Sequence, residues 1–182
     1  LQDTLGGVDR LSKDDILKAF DLLNKNLEGQ SCSAEIVVMG GAAMVLLFGV
    51  RDSTKDVDCM VLSPTDQTVP NTARAVAAEL KLPEDWLNDA AKGYLHGLSL
   101  GDSLFESSGL RVRSVSLYQL LAMKLSAWRD DVDISDSSVL LQNLTGGRDK
   151  IWAAVNPHLV PGRELKARYA FDDLWESLHG TS

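Results

Sequence analysis

The most restrictive feature of this sequence is a change of hydrophobic pattern at two adjacent glycines. Residues 34–39, AEIVVM, form a β-branched run of strand length. Gly40-Gly41 follows at once, and then AAMVLLF to Gly49, an apolar segment suited to a short helix. Strand, Gly-Gly turn and helix in direct succession commit the chain to an α/β arrangement. The turn lets backbone approach a ligand closely, and the helix N-terminus offers unpaired N–H groups to an anion.

A second strand, DVDCMVL (56–62), comes after the polar link Val50-Arg51-Asp52-Ser53-Thr54-Lys55. Its alternation places Asp56, Asp58 and Met60 on one face and Val57, Cys59 and Val61 on the other, with Cys59 buried. The two carboxylates then lie about 6 to 7 Å apart on one strand face. Hard oxygen ligands so placed suit one or two Mg²⁺ or Mn²⁺ ions, which bridge triphosphate oxygens and activate an attacking hydroxyl. Arg51, Ser53 and Thr54 stand just upstream, placed either to contact phosphate or to steady the loop.

Around this segment the elements are readable. Ser12-x-x-Asp15 opens a helix over 12–29 whose Ile16, Leu17, Phe20, Leu23 and Leu27 keep helical spacing, closed by Gly29. A helix is expected from about Pro70 to Leu80 and another over 84–92 carrying Trp86 and Leu87. A β-hairpin is expected over 103–116, turning at Ser108-Gly109. Helices follow over 117–129, 135–144, 149–155 and 163–178. The predicted architecture is α/β (α+β): a small mixed sheet flanked by helices in 1–115, then a C-terminal helical bundle, 116–182, packed on that core.

Composition limits the partners. Eighteen Lys and Arg against 26 Asp and Glu leave a net charge of −8, which argues against a general nucleic-acid coat because phosphate binding draws on basic surface. Arg148, Lys150, Arg163, Lys166 and Arg168 are a local exception, either an acceptor-RNA patch or a face that offsets the acidic remainder. Cys32 and Cys59 are too few for a disulfide framework and read as reduced, intracellular thiols. No apolar run reaches membrane-spanning length. His96, His158 and His179 show no ligand spacing.

The stretch GGAAMVLLFGVRDSTKDVD resembles the signature of the DNA polymerase β-like nucleotidyltransferase superfamily, a Gly-Gly or Gly-Ser turn followed by D-x-D on a strand. In detail it is similar to AbiEii-type abortive-infection toxins and the minimal nucleotidyltransferases of bacterial toxin–antitoxin pairs, and it shares the Gly-Gly start of CCA-adding enzymes. The segment LLAMKLSAWRDDVDISD (120–136) resembles the K-L-x-A-x-R-D-x-x-D motif of AbiEii-like proteins.

The resemblance implies a cytoplasmic nucleotidyltransferase that takes a nucleoside triphosphate with Mg²⁺ or Mn²⁺ and uses a tRNA 3′ end or a protein hydroxyl as acceptor. It implies a phosphate turn at Gly40 and Gly41, metal at Asp56 and Asp58, a triphosphate or acceptor contact at Lys124, and a conformational or catalytic acid at Asp133. Many relatives also carry a third carboxylate, a general base, on the strand next to the D-x-D strand. Glu106 is the candidate here and Asp102 a substitute; a cross-strand ion pair with Arg111 explains Glu106 equally. The carboxylates Asp130, Asp131 and Asp136 read as a solvated junction, with Asp133 or Ser135 capping the next helix. A catalytically silent nucleotide- or partner-binding module of the same fold is the alternative.

Overall fold

The computed structural model describes residues 9–180, which divide into two compact units. The first holds residues up to Ala90 together with Ser103–Ser114; the second holds Ala91–Asp102 and the chain from Val115 onward. The segment Ala91–Asp102, which includes the first residues of a sheet strand, thus groups with the helical unit.

In the first unit, β1 (Leu11–Ser12) leads into α1 (Lys13–Gly29) through the predicted capping box. The Ser12 hydroxyl accepts from the Asp15 N–H, while the Asp15 carboxylate accepts from the Ser12 N–H at 2.9 Å. The strand β2 (Ala34–Met39) passes directly into α2 (Gly40–Phe48), which ends on Gly49 in the left-handed conformation. Then come β3 (Ser53–Thr54), β4 (Val57–Ser63), α3 (Thr68–Leu80) and β5 (Leu87–Asn88), followed by β6 (Leu100–Glu106) and β7 (Leu110–Val115).

The mixed sheet runs β5-β4-β2-β7-β6, with β2 antiparallel to β4 and parallel to β7, and β4 parallel to β5. Register partners share a face. Val38, Cys59 and Ser114 therefore lie on one side, and Met39 and Asp58 on the other. The first side is dry: Val38, Cys59 and Val112 are buried, and Phe20 of α1 meets the rings of Trp86 and Phe105 at 6.3 and 5.9 Å.

Two short elements differ from expectation. The stretch 84–92 is not a helix: the Val57 N–H donates to the Trp86 carbonyl at 2.6 Å, and Leu87 and Asn88 pair with Val57 and Asp58, so β5 extends the sheet. Trp86 remains a core residue, its indole N–H donating to the Ala73 carbonyl at 2.9 Å. The link at Ser53-Thr54 pairs with Leu11-Ser12 as a two-stranded ribbon. Both are non-local pairings that no periodicity announces.

The second unit is helical: a 3₁₀ turn at Ala90–Tyr94 borders it, then α4 (Leu117–Ala127), α5 (Asp131–Gln142), α6 (Arg148–Val155) and α7 (Glu164–His179). α5 starts four residues earlier than predicted because Asp130, not Asp133 or Ser135, is its N-cap, accepting from the Asp133 N–H at 3.1 Å. α4 is buried almost all round, Leu120, Leu121, Ala122 and Leu125 completely. No described helix is long and apolar enough to cross a membrane.

Candidate active site

The glycine pair and the D-x-D strand meet. Gly40 has a φ of +64°, the left-handed region where a side chain is strained. A Cβ built on it would stand 3.0 Å from Asp58 Oδ2. A Cβ on Gly41 would stand 2.8 Å from Thr54 Oγ1 and 3.4 Å from Arg51 Nη1. The turn is thus a cradle without room for a methyl group, lined by the Asp58 carboxylate on one side and by Thr54 and the Arg51 guanidinium on the other. No side chain caps the N-terminus of α2, so its first N–H groups are open to an anion.

Asp58 comes to this cradle because Met39, the residue before the turn, is its register partner on β2. Asp56 stands just before β4, and one of its oxygens accepts from Asn88 Nδ2 at 3.1 Å. The Thr54 hydroxyl donates to the Asp56 carbonyl at 3.2 Å. Of the three upstream residues, Arg51 and Thr54 converge on Gly41, whereas Ser53 is engaged from outside by Arg10, whose Nε donates to its hydroxyl at 2.9 Å. On the opposite face, the Cys59 thiol is pushed up to about 12, first by burial and then by the charges of Asp58 and Asp89.

The donor set tests the fit to a divalent cation. Asp56 and Asp58 are both half-buried, so they are reachable, and hard oxygen ligands beside an uncapped helix start suit Mg²⁺. Glu106 does not join them. β6 is separated from β4 by β2 and β7, three strand spacings or about 14 Å. Arg111 is moreover in register with Glu35, at the opposite end of β2 from Met39. Glu106 instead pairs with Arg111 at 3.4 Å, both side chains exposed, as a cross-strand ion pair. Of the two strands that flank β4, β2 sets Met39 across from Asp58 and β5 sets Asn88, an amide. Among the described residues no group of three or more His, Cys, Asp or Glu could hold a metal ion.

Lys124 and Asp133 lie in the helical unit and serve each other. Lys124 Nζ stands 3.2 Å from Asp133 and 2.8 Å from Asp136, with all three side chains buried. The second oxygen of Asp133 accepts from the Arg129 N–H at 2.9 Å and from Arg129 Nε at 3.2 Å. Burial pushes the Asp133 carboxyl up. The Arg129 N–H, the Lys124 charge and the side-chain hydrogen bonds outweigh that, and hold it below the usual carboxylate range. Asp136 is therefore not part of a solvated junction.

Four of the five basic residues near the C-terminus are also engaged internally, while Lys150 is exposed. Arg163 Nη1 and Lys166 Nζ donate to the Ser126 and Ala127 carbonyls, each at 2.9 Å, where α4 ends. Arg148 and Arg168 pair with Asp172 at 2.8 and 3.1 Å.

A family model described as a nucleotidyltransferase of unknown function (DUF6036) matches residues 14–145, well over half of the chain. The chain belongs to that family. The nucleotidyltransferase match takes in the glycine cradle, both aspartates and the Lys124–Asp133–Asp136 cluster, and it ends just after α5. No curated protein and no solved structure matches the chain.

Asn88 and the partners of Lys124 escaped the sequence reading. A polar residue directly after the apolar pair Trp86-Leu87 is the only signal for the first. For the second it is a lysine among the leucines of 117–127, which must either snorkel to water or meet an anion.

Proposed function

We propose that this nucleotidyltransferase-family protein transfers a nucleoside monophosphate from a nucleoside triphosphate to an acceptor hydroxyl, with Mg²⁺ or Mn²⁺ held by Asp56 and Asp58. The observation that carries this reading is the close approach of Gly40 to Asp58, where a Cβ would stand 3.0 Å from Oδ2. A glycine forced into that conformation beside a carboxylate suits a site where phosphate and cation meet.

The Gly40-Gly41 backbone and the start of α2 receive the triphosphate oxygens, and Arg51 adds positive charge beside Gly41. The aspartates orient the triphosphate through the cation, which when bound supplies Lewis-acid polarisation and charge neutralisation. The acceptor oxygen attacks the α-phosphorus in line. An O–P bond forms, the bond to the β-phosphate oxygen breaks, pyrophosphate leaves with the electron pair, and the hydroxyl proton passes to water. Most of the catalysis in such a site is positioning and electrostatic stabilisation.

The similarity to AbiEii-like and minimal toxin–antitoxin nucleotidyltransferases supports a tRNA 3′ end or a partner protein's hydroxyl as acceptor. The engagement of Arg163, Lys166, Arg148 and Arg168 within the helical unit weakens the case for those residues as an RNA patch.

The deciding experiment incubates the protein with each labelled triphosphate, Mg²⁺, tRNA and cell lysate. Label should enter RNA or protein and vanish with Asp56→Ala or Asp58→Ala; equal labelling by either variant sinks the proposed site. A second reading, a silent nucleotide-binding module, is favoured by the amide at Asn88 and the remoteness of Glu106. Triphosphate-dependent thermal stabilisation without incorporation would establish it in place of transfer.

A further inference from the structure

Asn88 lies on β5, the strand beside the D-x-D strand, and its side-chain amide is fully committed. Its Oδ1 accepts from the Ala90 N–H at 2.8 Å. Its Nδ2 donates to the Asp85 carbonyl and to Asp56 Oδ2, each at 3.1 Å. These partners fix the amide without ambiguity: a backbone N–H can only donate, so Oδ1 must face Ala90, and the two hydrogens of Nδ2 then meet two groups that only accept. The alternative orientation would set an oxygen against a carboxylate and a carbonyl.

From this geometry we infer that Asn88 is the positioning residue for Asp56: it holds one carboxylate oxygen so that the group is presented in one orientation to a divalent cation shared with Asp58. The inference rests on the metal-binding reading of the aspartates and extends it to a residue outside the D-x-D pair. Three features support it. Asp56 precedes β4 and so has no ladder of its own to fix it; its main chain is held by Thr54 and its side chain by Asn88. Asn88 is in register with Asp58, which puts the amide on the same sheet face as that carboxylate. The turn from Asp85 to Ala90 anchors the amide at both ends, so it can constrain Asp56 rather than follow it. Partners of this kind govern ligand orientation, and their loss typically weakens metal affinity by about 10- to 100-fold. An acid at this position would repel Asp56, whereas an amide donates to it without adding charge.

The test is Mn²⁺ titration of the full chain, with free Mn²⁺ read by electron paramagnetic resonance, for the parent, Asp56→Ala, Asn88→Ala and Asn88→Val. The valine variant favours the strand conformation and guards against loss of β5. Melting curves without metal identify the temperature at which each variant is folded, and the titrations are run there. The expected result is parent binding that Asp56→Ala abolishes and that both Asn88 variants weaken about tenfold or more. A folded Asn88 variant with an Mn²⁺ affinity within about twofold of the parent, whatever its melting temperature, leaves Asn88 a turn residue and overturns the inference while the aspartate site stands. Parent protein that shows no Asp56-dependent Mn²⁺ binding overturns the inference together with the metal site beneath it.

Discussion

Replacing Lys124 by methionine separates two roles for this residue, an internal counter-ion and a triphosphate contact. Lys124 lies 2.8 Å from Asp136 and 3.2 Å from Asp133, and the two carboxylates are only 3% and 1% exposed. Removing one partner of a buried ion pair costs about 3 to 5 kcal/mol, because the remaining charge stays buried without its counter-ion. The lower end applies here: Arg129 still serves Asp133 through its N–H and Nε, so Lys124→Met should lose about 3 kcal/mol. With a urea dependence of about 2 kcal/mol per molar, the midpoint falls by roughly 1.5 M, readily seen by circular dichroism.

The pH dependence has a fixed sign. Asp133 is held below its ordinary range when folded, so its contribution is complete above the unfolded carboxylate range, near pH 4, and is lost as pH falls through the lower folded value. Without Lys124 the carboxyl is held less low, so part of that contribution is already lost at higher pH. The gap between parent and variant should be widest at neutral pH and close as both proteins approach acid. A loss under about 1 kcal/mol at pH 7, or a gap that stays the same as pH falls from about 4 toward 2, refutes the counter-ion role. Unchanged stability with lost triphosphate binding would return Lys124 to the substrate.

Other substitutions probe the cradle and its supports. Gly40→Ala combines a left-handed backbone with a Cβ 3.0 Å from Asp58 Oδ2, and should lose about 1 to 3 kcal/mol and triphosphate-dependent thermal stabilisation together. Retained stabilisation by triphosphate would show that phosphate does not use this turn. Alkylation of the native protein should modify Cys32 and spare Cys59, whose thiol is buried and pushed up to about 12; urea should expose both, as mass spectrometry of the labelled peptides reports. Ser12→Ala removes the capping box of α1 and should cost about 0.5 to 2 kcal/mol in chemical denaturation, with no change if the cap is dispensable.

The parts of the fold that were readable in the sequence are those written in local chemistry. Ser12-x-x-Asp15 announces its helix because both partners of the cap lie within one turn. Gly40-Gly41 announces the strand-to-helix switch, and DVDCMV displays its two faces by alternation. The elements that escaped depend on distant partners. β5 is two residues long and exists because Trp86, Leu87 and Asn88 pair with β4, some thirty residues earlier. Asp136 looks like one more solvated acid in an acidic run until Lys124, on a different helix, is placed beside it. Glu106 shows the converse. Its ion pair with Arg111 follows from the hairpin alone, but its distance from the aspartates depends on strand order, which places β2 and β7 between them.

The closure of α4 by Arg163 and Lys166 bears on how this protein is handled in the laboratory. Both donors lie beyond residue 145, where the family match stops, and they serve carbonyls of a helix within it. A fragment trimmed to the homologous region would expose the Ser126 and Ala127 carbonyls and uncover the apolar side of α4 that α7 lies against. The matched region is therefore shorter than the unit that folds. Expression clones for activity screens should run through α7, since a clone ending at 145 would report on a damaged helical unit rather than on the chemistry of the aspartates.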